Sequence, residues 1–173
     1  MARTDAQRIR LLTQTGLFTA AIFVMTAFLH IPSFLGYIHA GDGVIFLAAS
    51  VLPAPYAAFA GAFGAALADW QSGYLVWAPA TLVIKAATVL CFTAKKPAIL
   101  CRRNLLALIP AALICAAGYT VYQAIFITGS VLNTAFVTAL AATPTYFLQT
   151  AISAVLFFVL ARALDRMGLK NKR

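Results

Sequence analysis

The chain is a succession of apolar runs separated by short polar or proline-bearing breaks, and the lengths of those runs predict its elements. They occupy residues 8–29, 42–52, 56–69, 75–94, 105–127 and 134–164. A membrane-crossing helix needs about 20 residues, so a chain of 173 admits five or six, with no room for a separate soluble domain. The expectation is an all-α integral membrane protein: one membrane domain over 1–173, six helices, and both termini cytoplasmic. The first run, from Leu11 to Leu29, is about 19 residues and no A-x-A site follows. It is therefore read as a retained span, since a secretory h-region has only about 7–15 residues.

Residues 42–69 pose the topological question. Gly41, Asp42 and Gly43 open an apolar run that ends at Leu52, before Pro53 and Pro55. If 42–69 were one helix, Lys95, Lys96, Arg102 and Arg103 would fall outside while the N-terminus stayed inside, against the positive-inside tendency. The prolines are therefore read as an inner turn between spans two and three. Span three carries Ala57, Gly61 and Ala65 on one strip and Ala58, Ala62 and Ala66 on the next, since positions four apart share a helix face. Span one carries the small pair Gly16 and Ala20, with Ala27 beyond, a surface that lets another helix approach. Pro79 falls in the first turn of span four, where a missing amide costs least. Residues 30–40 are too broken to cross and lie at, or fold over, the outer surface.

Composition fixes the class. Apolar residues make up 63% and charged residues 10%, against about 45–50% and 25% in soluble domains. The net charge of +9 does not indicate nucleic acid, because Lys and Arg sit at the ends of apolar runs rather than along a polar surface. Cys91, Cys101 and Cys115 form no CxxC pair or disulfide framework and read as small packing residues.

The intramembrane charges then become the candidate chemistry. Asp42 and Asp69 fall at outer helix ends, and Lys85 lies about ten residues, or about 15 Å, into span four. Such groups cost several kcal/mol unless paired, hydrated or ligand-bound. Lys85 pairs with Asp69 or Asp42, or meets a ligand; Asp42 also suits a helix N-cap, and Asp69 an interfacial charge facing water. Trp70, Tyr74 and Trp77 belong to the interface belt expected of any span. Tyr119, Tyr122, Gln123, Asn133, Tyr146 and Gln149 together suit a small planar heterocycle held by stacking and a few hydrogen bonds. There is no phosphate loop, no HExxH and no Glu, so neither ATP hydrolysis by that route nor a metal centre is indicated. No cofactor is expected, and His30 and His39 lack other ligands.

The segments IHAGDGVIFLAAS at 38–50, PYAAFAGAFGAALADWQSGY at 55–74 and WAPATLVIK at 77–85 resemble the substrate-binding S components of energy-coupling factor (ECF) vitamin transporters. The GD before span two, the LAD of span three, the GY turn and the A-T-L-x-I-K of span four occur in the same order and spacing. The pattern is closest to the branch for vitamin B6 forms or the hydroxymethylpyrimidine precursor of thiamine. The resemblance implies a non-enzymatic subunit of the bacterial plasma membrane. It would capture a vitamin from outside and join a transmembrane coupling (T) subunit and two cytoplasmic ATPases. The motifs that carry the resemblance lie only within 38–85; with the aromatic and amide residues added from their own chemistry, the expected substrate site is Asp42, Asp69, Tyr74, Trp77, Thr81, Lys85, Tyr119, Tyr122, Gln123, Asn133, Tyr146 and Gln149. The resemblance also implies a lid from His30, Phe34, Tyr37 and His39, and a partner face from Gly16, Ala20, Gly61 and Ala65. The competing expectations are a small intramembrane lipid-modifying enzyme using Asp69 and Lys85, and an assembly subunit without a ligand.

Overall fold

The first apolar run folds as helix α1 (Asp5–Ala27), where the Thr4 N–H donates to Gln7 Oε1 at 3.3 Å. The computed structural model describes residues 4–33, 36–127, 134–168 and 170. After α1 the chain reverses as an antiparallel hairpin, β1 (His30–Ser33) with β2 (Gly36–His39), in the register His30 opposite His39 and Ile31 opposite Ile38. This small sheet is the one departure from an all-helical architecture among the described residues.

The prolines break the next stretch as expected. Helix α2 (Gly41–Val51) stops before Pro53, and α3 (Ala54–Gln71) starts after it with Pro55 in its first turn. There a missing N–H leaves no intrahelical bond unmade. A 3₁₀ turn (Leu75–Trp77) leads into α4 (Ala78–Val89), again with proline in the first turn. The expected run 105–127 is subdivided into α5 (Arg102–Leu106), α6 (Leu108–Tyr122) and one wider π turn (Gln123–Ile127). Helix α7 (Thr134–Arg166) contains Pro144. Among the described residues, three helical stretches are long and apolar enough to cross a membrane by themselves: Asp5–Ala27, Arg102–Phe126 and Ala139–Arg166.

Packing puts α2 at the centre. It touches α1, α3, α4 and α7, and every residue from Gly41 to Ser50 is buried. Around it the order is α1, α3, α4, α6, α7, with α7 returning to α2. Phe46 of α2 stacks on Phe92 at 5.0 Å and meets the edge of Phe157 at 6.3 Å, while Ile22, Ile45, Leu52 and Ala57 fill the space between. Glycine permits the closest approaches. A Cβ on Gly43 would lie 2.5 Å from the Ser153 carbonyl oxygen, and one on Gly64 would lie 2.8 Å from that of Thr19. Backbone therefore meets backbone, as in small-residue helix packing.

Two small-residue expectations are corrected. Gly61 and Ala65 turn inward: a Cβ on Gly61 would meet Ile45 at 3.0 Å and Val89 at 3.6 Å, and Ala65 is buried. Gly61 packs α3 on α2 and α4, and the outward surface of α3 is formed by other residues. Gly16 and Ala20 do face outward, and nothing lies within 4 Å of a Cβ built on Gly16.

The basic segment between α4 and α6 is stapled in place. Buried Asn104 accepts the Thr93 N–H at 2.8 Å and donates to the carbonyls of Thr93 and Ile99 at 3.1 and 3.0 Å. Asp165 of α7 accepts the N–H groups of Ile99 and Leu100 at 2.8 and 2.9 Å. Lys170 donates to the Ser50 carbonyl at 2.6 Å, tying the chain beyond α7 to the end of α2.

Candidate functional site

At the hairpin end, α2, α4, α6 and α7 converge on the buried ion pair that the sequence left open. Lys85 Nζ lies 2.8 Å from both Asp42 oxygens, and each residue is 1% exposed. Its partner is Asp42, not Asp69. Asp42 sits inside the first turn of α2, whose N-cap is Ala40, so the capping role expected for it is not the one it plays. The positive end of α2 supports its carboxylate, and Gln149 Nε2 donates to Oδ2 at 3.0 Å. Lys85 is completed by Cys115 Sγ at 3.8 Å and the Tyr119 ring, whose centroid is 5.1 Å away. All three cysteines are free thiols.

Beside this pair lies a half-open cavity of about 50 Å³, with about 380 Å³ of free space when its mouth is included. Its walls are Tyr37, His39, Asp69, Trp77, Thr81, Tyr119, Tyr146 and Gln149. Tyr119 and Tyr146 stack at 5.3 Å, and Trp77 meets Tyr119 edge-on at 5.9 Å. The Thr81 and Tyr119 hydroxyls are 3.0 Å apart. The Tyr146 hydroxyl donates to Gln123 Oε1 at 3.0 Å. Asp42 and Lys85 lie behind this ring of side chains, linked to it through Gln149 and Tyr119.

The hairpin forms the roof. The Tyr37 hydroxyl donates to Asp69 Oδ1 at 2.5 Å, and its ring lies 4.8 Å from His30, 5.4 Å from His39 and 4.9 Å from Tyr74. Burial, reinforced by the Asp69 charge, pushes the Tyr37 phenol far above its ordinary range, so it stays a donor. His39 Nδ1 accepts the Gly41 N–H at 3.1 Å. Burial drives this imidazole down to about 4, so it is neutral at physiological pH. Asp69 is 6% exposed, not an interfacial charge facing water; the Thr81 hydroxyl stands beside its carboxylate, and Oδ2 makes no hydrogen bond of ordinary geometry.

The expected residues do not all join this cavity. Tyr122 packs on Trp77 at 5.9 Å and donates to the Val76 carbonyl at 2.7 Å, bracing the wall from behind. Tyr74 supports the roof, and Gln123 supports Tyr146. Phe34 and Asn133 lie outside the described residues. Ser153 was missed: its hydroxyl makes a long 3.4 Å contact to the His39 carbonyl and ties the roof to α7. The signal was its place four residues after Gln149 on one helix face. Among the described residues, no group of three or more His, Cys, Asp or Glu could hold a metal.

The family model for the ECF-type riboflavin transporter S component matches residues 6–166. The chain belongs to this S-component family. No curated protein matches it. S components are membrane proteins that bind a small vitamin and work with T and ATPase modules; the family is one of transporter subunits, not of enzymes.

Proposed function

We propose that this S component captures a small, water-soluble, single-ring vitamin in the chamber beneath the hairpin, for ATP-driven uptake with a T subunit and two ATPases. The observation that carries the reading is the Asp69 carboxylate, almost wholly buried and aimed into an aromatic chamber with one oxygen making no hydrogen bond of ordinary geometry. An unsatisfied buried acceptor costs about 1–3 kcal/mol. A ligand N–H or O–H placed on Oδ2 removes that cost, while Trp77, Tyr119 and Tyr146 supply flat faces for the ring. Lys85 is neutralised by Asp42 and His39 is neutral, so the chamber holds no uncompensated cation to attract a phosphorylated ligand.

Size favours one ring. Ligand sites typically enclose about 300–1,000 Å³, and here about 380 Å³ is reached only by counting the mouth. A vitamin B6 form or hydroxymethylpyrimidine enters with less displacement of Tyr37 and Trp77 than a three-ring flavin. In this reading the hairpin is the outer lid and the six runs cross the plasma membrane of a bacterium. The basic segment and both termini are cytoplasmic, and the outward Gly16 and Ala20 face receives the T subunit. The site comprises Asp69, Trp77, Thr81, Tyr119, Tyr146 and Gln149 as walls, with Asp42 and Lys85 behind them.

Thermal unfolding with pyridoxine, pyridoxamine, hydroxymethylpyrimidine and riboflavin tests this. A bound ligand at 100 times its Kd stabilises by about 2.7 kcal/mol. No shift with any compound would sink the vitamin-capture reading. Preferential stabilisation by riboflavin would remove the single-ring assignment and leave capture standing. Asp69→Asn should weaken the best ligand by at least about tenfold, the worth of one charge-assisted hydrogen bond.

A further inference from the structure

At the opposite end from the vitamin chamber, where α2 breaks into α3, lies a larger groove of about 560 Å³. Leu11 of α1 and Phe92, beyond α4, give it apolar walls; Lys95 and Arg103 line it with cationic groups, and Ala54 with the start of α3. Both cations are exposed, and among the described residues neither is paired with a carboxylate. Asp165 is occupied by the Ile99 and Leu100 amides. Helix α3 begins here with no side-chain cap; the Tyr56 N–H bonds the Pro53 carbonyl at 3.0 Å and Pro55 has no N–H, so its contribution to the groove is the positive end of the helix dipole. The Asn104 bonds to Thr93 and Ile99 hold the segment carrying Lys95 and Arg103 in one shape.

We propose that this groove binds an anionic phospholipid of the inner leaflet, phosphate toward Lys95 and Arg103 and one acyl chain along Leu11 and Phe92. The placement in the inner leaflet rests on the orientation given under Proposed function. Two cations and a helix N-terminus converge where apolar walls begin, which matches a headgroup joined to a hydrocarbon chain. A soluble anion would use only the charged part and leave the apolar walls bare. A zwitterionic lipid would bring its own ammonium against two cations.

The test is native mass spectrometry of the full chain released from nanodiscs holding equal phosphatidylglycerol and phosphatidylcholine of matched acyl chains. Wild type should retain phosphatidylglycerol preferentially. The double variant Lys95→Gln with Arg103→Gln should bind it about 30-fold more weakly, from the usual worth of two surface cations. Arg162→Gln, a charge change on α7 outside the groove, should leave the preference intact. Equal retention of the two lipids by wild type, or an unchanged preference in the double variant, overturns the proposal. So does equal thermal protection by inorganic phosphate, which would mark a soluble-anion site. A photocrosslinker at Ala94 should label lipid; labelling of a co-purified protein instead would give the groove to a partner chain and overturn the lipid assignment. Vitamin-induced stabilisation of the double variant should match wild type. Its loss from wild type and variant alike would count against vitamin capture and leave the lipid result standing.

Discussion

Removing either member of the Lys85–Asp42 pair should be costly, and the two losses should be unequal. Both side chains are 1% exposed and in contact at 2.8 Å. Breaking a buried pair from one side typically costs about 3–5 kcal/mol, because the other charge stays buried without compensation. Asp42→Asn leaves the Lys85 ammonium without a counter-charge, facing a neutral amide oxygen, Cys115 Sγ at 3.8 Å and the Tyr119 face at 5.1 Å. Lys85→Met leaves the Asp42 carboxylate with the Gln149 N–H at 3.0 Å and the positive end of α2. Asp42→Asn should therefore sit at the upper end of the range and Lys85→Met at the lower end. For a chain of 173 residues, at about 2–4 °C per kcal/mol, the melting temperature should fall by roughly 6–20 °C. The double variant should recover at least about 2 kcal/mol relative to the sum of the singles. Ligand-free thermal unfolding in detergent measures all three. Single losses below about 1 kcal/mol, or a double variant as unstable as the summed singles, would refute the view that mutual neutralisation holds α2 against α4.

Three further outcomes follow from neighbouring contacts. His39 is neutral and buried when the hairpin is closed, so the open or unfolded state takes up more protons between pH 6.5 and about 4. Stability thus falls as pH drops through that window, by about 3 kcal/mol in total. Hydrogen exchange of the hairpin amides should rise accordingly, and a flat profile in wild type, or an identical slope in His39→Gln, would contradict it. Gly43→Ala places a methyl 2.5 Å from the Ser153 carbonyl oxygen and should cost about 1–3 kcal/mol, the usual range for overpacking, read as a lowered melting temperature. Gly16→Leu meets no atom within 4 Å and should keep its stability and vitamin binding while losing uptake with partner subunits. Normal uptake would remove that face from the assembly.

Much of this architecture was legible because single residues decide it. Pro53 and Pro55 forced the break between α2 and α3, and Lys95 to Arg103 showed which end of the chain is basic. The cavity walls were also anticipated, since aromatic and amide groups concentrate near the predicted outer ends of four runs. The partner of Lys85 was not legible. Asp42 and Asp69 end at the same level, and the choice depends on how α2 and α3 are rotated, which sequence spacing does not specify. The inward turn of Gly61 and Ala65 was hidden for a related reason: α3 is small and apolar on several sides, so no periodicity distinguishes its faces. The hairpin escaped notice because its two four-residue strands are too short to display alternation, and they are held by Tyr37 reaching α3 and by Ser153 of α7 reaching the His39 carbonyl.

Helix α7 reaches the chamber beneath the hairpin through Gln149, which bonds Asp42, and the basic segment through Asp165, which holds the Ile99 and Leu100 amides. Sixteen residues of helix separate these grips, about 24 Å at 1.5 Å per residue. One rod thus acts as a strut clamped at both ends. A displacement at the basic end is therefore passed along the helix to the chamber, with the Asp42–Lys85 pair carried along by Gln149.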